Sequence, residues 1–160
     1  MNQNKVIKVA QVIGEAAEGG VESCVMNYFR NIDRSKLEFT FFVESTSRII
    51  NKQKIEELGG KVVFIPSMKK IFTYQKTMKK LFKEGGYDIV HAHKTALNIF
   101  TLRAAKKAGI KVRISHAHST SSPKEPLRNI IKNILRKLFS KRINKCTSFD
   151  WIFNTKLLAG

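Results

Sequence analysis

The sequence predicts an α/β domain: a doubly wound, mostly parallel sheet of about six strands with helices on both faces. Three observations predict it. Short runs rich in β-branched and aromatic residues alternate with longer runs of helical period along the chain. Glycines punctuate the junctions where a helix gives way to a strand. The 160 residues suffice for one core but not for two large domains. Such alternation requires parallel pairing through right-handed crossovers, which place helices on both sides of the sheet.

The first strand is KVIKVAQVI, Lys5 to Ile13, followed by a glycine-containing turn and a helix from about Val21 to Ile32 with Val21, Val25, Tyr28, Phe29 and Ile32 on one face. Leu37 to Val43 (LEFTFFV) is the second strand. Ile49 to Leu58 is helical and ends at Gly59-Gly60. Lys61 to Ile65 (KVVFI) is the third strand, stopped by Pro66. From Lys70 to Lys83 apolar residues recur at helical spacing among lysines, breaking at Gly85-Gly86. Tyr87 to Ala92 is a fourth strand, Thr95 to Lys107 a helix, and Ile110 to His116 a fifth strand. The apolar positions from Leu127 to Phe139 fit one helical stripe, which leads to a weaker sixth strand around Phe149 to Phe153.

Composition narrows the function classes. Thirty Lys and Arg against twelve Asp and Glu give a net charge of +18, which attracts phosphate-rich partners such as nucleotides, nucleic acid or anionic lipid. Nucleic acid is not expected, because no helix-turn-helix, zinc-finger or aromatic RNA-binding motif is found. The longest apolar run is four residues, Val62 to Ile65, against the roughly 20 needed to span a bilayer. Lys8 and Gln11 interrupt the only signal-peptide-like core, so a cytoplasmic location is expected. Cys24 and Cys146 form no Cys-x-x-Cys pattern and read as buried thiols.

In a doubly wound sheet ligands bind at the carboxyl ends of the strands, so the loops after the first, fourth and fifth strands are the informative ones. Gly14 and Gly19 have P-loop spacing, but Gly20 and Val21 stand where Lys and Ser or Thr would grip phosphate. What remains is the Gly19-Gly20 pair opening a helix, where the backbone approaches an anion closely and the first N–H groups favour it. All four histidines lie in two copies of one tripeptide, His91-Ala92-His93 and His116-Ala117-His118, each at a strand end. Residues i and i+2 of a strand face one side, so the imidazoles converge if these strands are neighbours. No metal is expected there, because Asp88 is the only nearby acid and a hydrolytic site normally adds carboxylates. One histidine of each pair is expected to pack under a helix, leaving His93 and His118 as functional candidates. No G-x-S-x-G elbow is present, which argues against a serine hydrolase.

Basic residues crowd two helices. Lys69, Lys70, Lys76, Lys79, Lys80 and Lys83 surround one, while Arg128, Lys132, Arg136 and Lys137 lie on the other. Such faces are usually solvated, yet each basic residue near an anionic membrane contributes about 1 kcal/mol of attraction. Arg128, Lys132, Arg136 and Lys137 are therefore the expected membrane contacts.

EGGVES running into CVMNYFRNIDRSKLEFTFFV, then GGKVVFIPS, YDIVHAHKT, LRAAKKAGIKVRISHAHST and FNTKLLAG, in that order, resembles the N-terminal half of a GT-B glycosyltransferase. More narrowly it resembles the family-4 retaining enzymes of bacterial capsular and exopolysaccharide synthesis. The resemblance implies that residues 1–160 form the acceptor-side, Rossmann-like domain, and that the donor-binding domain is absent from the chain, which is then expected to be inactive alone. It implies a nucleotide-sugar donor as substrate, no further cofactor, a lipid-linked or growing glycan acceptor, and an enzyme resting on the inner face of the cell membrane. Gly19 and Gly20 match the glycine loop near the donor phosphate and sugar. His118 matches the histidine that lines the transfer site, and His93 a pocket position, with Ser119 and Thr120 in the same pocket. A non-catalytic remnant that binds anionic lipid or phosphate, and a metal-dependent enzyme built on the two His-Ala-His pairs, remain alternatives.

Overall fold

A computed structural model describes residues 5–14, 20–45, 47, 52–94, 97–116 and 145–147. In chain order these form β1 (Ile7–Gly14), α1 (Gly20–Asn31), β2 (Leu37–Glu44), α2 (Lys52–Glu57), β3 (Lys61–Ile65), α3 (Ile71–Gly85), β4 (Ile89–Ala92), α4 (Asn98–Lys107), β5 (Val112–His116) and β6 (Lys145–Thr147). The strands make one six-stranded sheet in the order β3-β2-β1-β4-β5-β6, and every adjacent pair is parallel. This is the doubly wound α/β class that the alternation predicts.

Parallel strands buried on both faces read as nearly continuous apolar runs, and β1 and β2 do so. Side chains of β1 alternate between two cores. Val9 and Ile13 pack with Val25 and Phe29 of α1 and Ile55 of α2, whereas Ala10 and Val12 pack with Tyr74, Met78 and Phe82 of α3 and Leu102 of α4. Phe29 meets Phe41 edge-on, with ring centroids 5.0 Å apart, and lies nearly parallel to Phe39 at 5.8 Å. On the opposite face Phe42 meets Phe82 and Tyr87, each at 5.5 Å. Close packing explains the glycine pair after α2. Gly59 takes a left-handed φ of 78°, and a Cβ at Gly60 would sit 2.7 Å from both Ile55 Cγ2 and Phe29 Cζ.

Tyr28, expected on the packed face of α1, is 47% exposed, and two further sequence expectations need correction. The sixth strand pairs through Lys145–Thr147, with Ser115 opposite Cys146, ahead of the expected run from Phe149 to Phe153, which lies outside the described residues. A three-residue strand is too short to show a period, so the aromatic run was the stronger sequence signal. The second is Asp88, expected beside the histidines. It precedes β4 at the amino edge of the sheet, where it accepts hydrogen bonds from Lys5 Nζ at 2.6 Å and the Lys8 amide at 3.0 Å. The Lys5 contact, then the Lys8 amide, holds its carboxyl below the usual range. The four-residue length of β4 puts Asp88 about 13 Å from the strand's other end. The long helix expected from Leu127 to Phe139 lies outside the described residues.

The α3–α4 contact contains a buried polar link, Tyr74 Oη to Thr101 Oγ1 at 2.7 Å. Burial raises the Tyr74 pKa, so the phenol stays protonated. Tyr74→Phe would leave the Thr101 hydroxyl without this partner in an apolar core. It is expected to cost about 1–3 kcal/mol in urea unfolding, while the double variant Tyr74→Phe/Thr101→Val should recover most of that loss.

Candidate functional site at the carboxyl edge of the sheet

Because all strands are parallel, the loops after β1, β4 and β5 leave from one edge, on either side of the point between β1 and β4 where the strand order reverses. Gly20 is the first residue of α1 and is exposed, and a Cβ there would meet nothing within 4 Å. Packing does not demand this glycine.

Three of the four histidines come together at this edge. In the β4–β5 register His91 is opposite Ile114 and Ala92 opposite Ser115, so the next step puts His93 level with His116. The ring centroids of His91 and His93 lie 4.1 Å apart. His116 is 5.4 Å from each and within 6° of parallel to His91. His93 is only 4% exposed and His116 8%, while His91 is half-buried. Nε2 of His93 is 2.8 Å from Oε1 of the buried Gln11 on β1. An amide oxygen only accepts, so Nε2 carries the proton. Burial pushes the His116 pKa down, which keeps that imidazole neutral at pH 7.

A second feature was not foreseen from the sequence. Lys94, immediately after β4, reaches across β1 to Glu44 at the end of β2, with Nζ 2.5 Å from Oε1. Glu44 is 3% exposed and Lys94 20%. The stem of Lys94 crosses over Gly14, where a Cβ would lie 2.1 Å from Lys94 Cε, and Gly14 itself has a φ of 78°. Only glycine suits both conditions. The Lys94 amide donates to Asn98 Oδ1 at 2.5 Å, and Asn98 Nδ2 donates to Ser115 Oγ at 2.9 Å and the His116 carbonyl at 3.1 Å. The strand ends of β2, β1, β4 and β5 are thus tied by one polar strap. Two signals in the sequence pointed to it: an acid ending the apolar run LEFTFFVE, and the lysine following His-Ala-His.

Of the residues expected at the site, Gly20 and His93 are at this edge. Gly19, His118, Ser119, Thr120, Arg128, Lys132, Arg136 and Lys137 lie outside the described residues.

The sequence model of Glycosyltransferase Family 4 matches residues 18–149, which includes the Gly20 turn, both His-Ala-His segments and the strap. The chain belongs to glycosyltransferase family 4. This family-4 chain is 33% identical over 117 residues to the putative glycosyltransferase EpsF of Bacillus subtilis (strain 168), covering 71% of the chain and 30% of that relative. It is 26% identical over 155 residues to the capsular polysaccharide biosynthesis glycosyltransferase CapH of Staphylococcus aureus, covering 96% of the chain and 40% of CapH. The chain therefore spans well under half the length of either. Among solved structures, Anabaena Alr3699/HepE, crystallised with UDP, superposes with a TM-score of 0.64 at 16% identity, over 88% of this chain and 37% of the other. MurG of Acinetobacter baumannii gives 0.61 at 11% identity, over 88% and 41%. At these identities the likeness establishes the fold, which is that of GT-B glycosyltransferases.

The strap leads to a prediction. Lys94→Met should strand a buried carboxylate and lower stability by up to about 3 kcal/mol, and adding Glu44→Gln should restore part of it. Gly14→Ala should cost about 1–3 kcal/mol. In a Lys94→Ala background the Gly14→Ala cost should fall, because the steric part disappears and the backbone part remains. Urea midpoints of the four members of that cycle measure the difference.

Proposed function

We propose that the chain forms the acceptor-side half of a retaining glycosyltransferase that moves a sugar from a nucleotide-sugar donor to a lipid-linked or growing polysaccharide. The observation that carries this reading is the family match over residues 18–149 together with a carboxyl edge where Gly20 and the histidine-bearing strand ends occur together. The names of EpsF and CapH support exopolysaccharide or capsule synthesis as the setting, and UDP in the HepE structure supports a nucleotide-linked donor.

In such a transfer the bond between the anomeric carbon and the leaving phosphate breaks. The acceptor oxygen bonds to that carbon from the same face, and the acceptor's proton passes to the departing phosphate. The Gly19-Gly20 turn is assigned to the diphosphate, since backbone N–H groups at a helix start stabilise negative charge as it grows. His118 is assigned to hydrogen-bonding the sugar, with Ser119 and Thr120 in the same pocket and His93 behind it. The Lys94 strap holds the two loops in register. Sugar transfer then needs no metal or other cofactor beyond the donor itself.

The donor's base and ribose are assigned to a second domain outside these 160 residues. The acceptor side rests on the inner, cytoplasmic face of the cell membrane through Arg128, Lys132, Arg136 and Lys137. Among the described residues no helix is long and apolar enough to cross a membrane. α3 adds support for a surface contact: Phe72 near its start is 89% exposed, and Lys69, Lys70 and Lys76 around it are exposed. α3 begins after the carboxyl end of β3, on the same edge as the site.

Two measurements test the reading. Calorimetry of the 160-residue chain with uridine, guanosine and adenosine diphosphate sugars should show binding weaker than micromolar, and the chain alone should transfer no sugar. Micromolar donor binding, or transfer by the purified chain, would mean that the site is complete in one domain. Co-sedimentation with anionic liposomes should fall as salt shortens the screening length from about 10 Å at 0.1 M toward 3 Å at 1 M. Equal binding to neutral vesicles would remove the basic residues as the anchor.

A further inference from the structure

We propose that His91, His93 and His116 form a three-histidine site for a divalent transition metal of the zinc, cobalt or nickel class. Each of the three offers a ring nitrogen, and these nitrogens all lie within 4.8 Å of one another. With bonds of about 2.0–2.1 Å, a tetrahedral ion holds its ligand nitrogens about 3.3 Å apart. With His93 held by Gln11, rotation of the His91 and His116 rings would close that difference at the paired ends of two neighbouring strands. The donor set decides the class of ion. Imidazole nitrogens suit zinc, nickel, cobalt and copper, while magnesium and calcium require oxygen ligands. Glu44, the buried acid of this edge, is engaged by Lys94, and Asp88 is at the opposite edge.

Gln11 supplies the supporting contact that such sites use. By accepting from Nε2–H of His93 it fixes the ring orientation and leaves Nδ1 as the lone-pair nitrogen. A polar residue at a buried position of the central strand thereby acquires a role that packing alone does not give it. His91, half-buried, gives an ion its way in. The metal would brace β4 against β5 directly before the loop that carries His118. This role does not rest on the transferase reading, although it uses His93, which that reading places behind the sugar pocket.

The 160-residue chain, stripped with a chelator, is titrated with Co²⁺ and Zn²⁺ by calorimetry and visible absorption, with Mg²⁺ as control. One Co²⁺ per chain should bind at micromolar concentration or tighter, with a tetrahedral visible band that Zn²⁺ abolishes and Mg²⁺ does not produce. His93→Ala and His116→Ala should each abolish the band, and Gln11→Ala should weaken binding about 10- to 100-fold. Side-chain nitrogen NMR of the unaltered chain gives the same answer without a variant: Zn²⁺ should shift His91, His93 and His116 together. Absence of micromolar binding, shifts confined to His118, or an unchanged cobalt band in folded His93→Ala would overturn the proposal. A chain that binds Co²⁺ but transfers no sugar in any assembly leaves it standing, and a transferase that binds no Co²⁺ overturns it alone.

Discussion

The parallel pairing of β1 with β4 is the constraint on which the rest of this domain depends. α3 must carry the chain back over β2 and β1 before β4 can pair, which makes β1 the strand with a neighbour laid down before the crossover and one laid down after it. Both faces of β1 are then covered, and its alternate residues serve two separate cores. The reversal of strand order also opens a crevice at the carboxyl edge, since the loops on either side of it diverge to opposite faces. The residues with chemical potential collect at this reversal. Gln11 and Gly14 of β1, Lys94 beyond β4 and the histidines flank it within a few residues.

Polar groups are introduced into this edge at a cost that the fold meets locally. A carboxylate such as Glu44, almost wholly buried, would destabilise the strand if it stood alone. Lys94 neutralises it, and the Lys94 stem fits because Gly14 presents no side chain beneath it. Asn98 then satisfies the Lys94 amide, the Ser115 hydroxyl and the His116 carbonyl at once. Buried ion pairs of this sort add little net stability compared with an apolar substitute. Their value here is positional. The ends of β2, β4 and β5 are held relative to one another across Gly14 of β1.

Much of the fold was legible in the sequence because its signals were long or repeated. The strand LEFTFFV is a long apolar run and the stripe of α3 shows a clear period, and Gly59-Gly60 and Gly85-Gly86 mark where helices stop. Legibility failed where the signal was short or lay in tertiary space. β6 has three residues, too few for alternation to register. Asp88 is close to the histidines in sequence, but a strand separates its ends more effectively than any other element, and the acid was assigned to the wrong edge. The repeated His-Ala-His tripeptide correctly announced a cluster. Its membership could not be read, because only the β4–β5 register decides that His93 stands level with His116. The Glu44–Lys94 pair, separated by two strands' worth of chain, needed the strand order itself.

Among the described residues, most of the positive charge has little part in holding this fold together. The lysines around α3 are all exposed, and the ion pair of Lys52 with Glu56 at 3.6 Å joins partners that are each about half accessible and so contributes little. Self-repulsion among so many cations works against the compact state. An excess that the fold does not need points to a use outside it. The position of α3 narrows that use, because its start, with the exposed Phe72 and adjacent lysines, lies at the edge where the strand ends present their polar groups. An aromatic ring set among cations suits the boundary of an anionic bilayer, where the ring meets the acyl region and the ammonium groups meet phosphate. On the proposed reading, a surface held there would bring a lipid-linked substrate to the crevice along two dimensions, and the same lysines would draw a diphosphate toward Gly20.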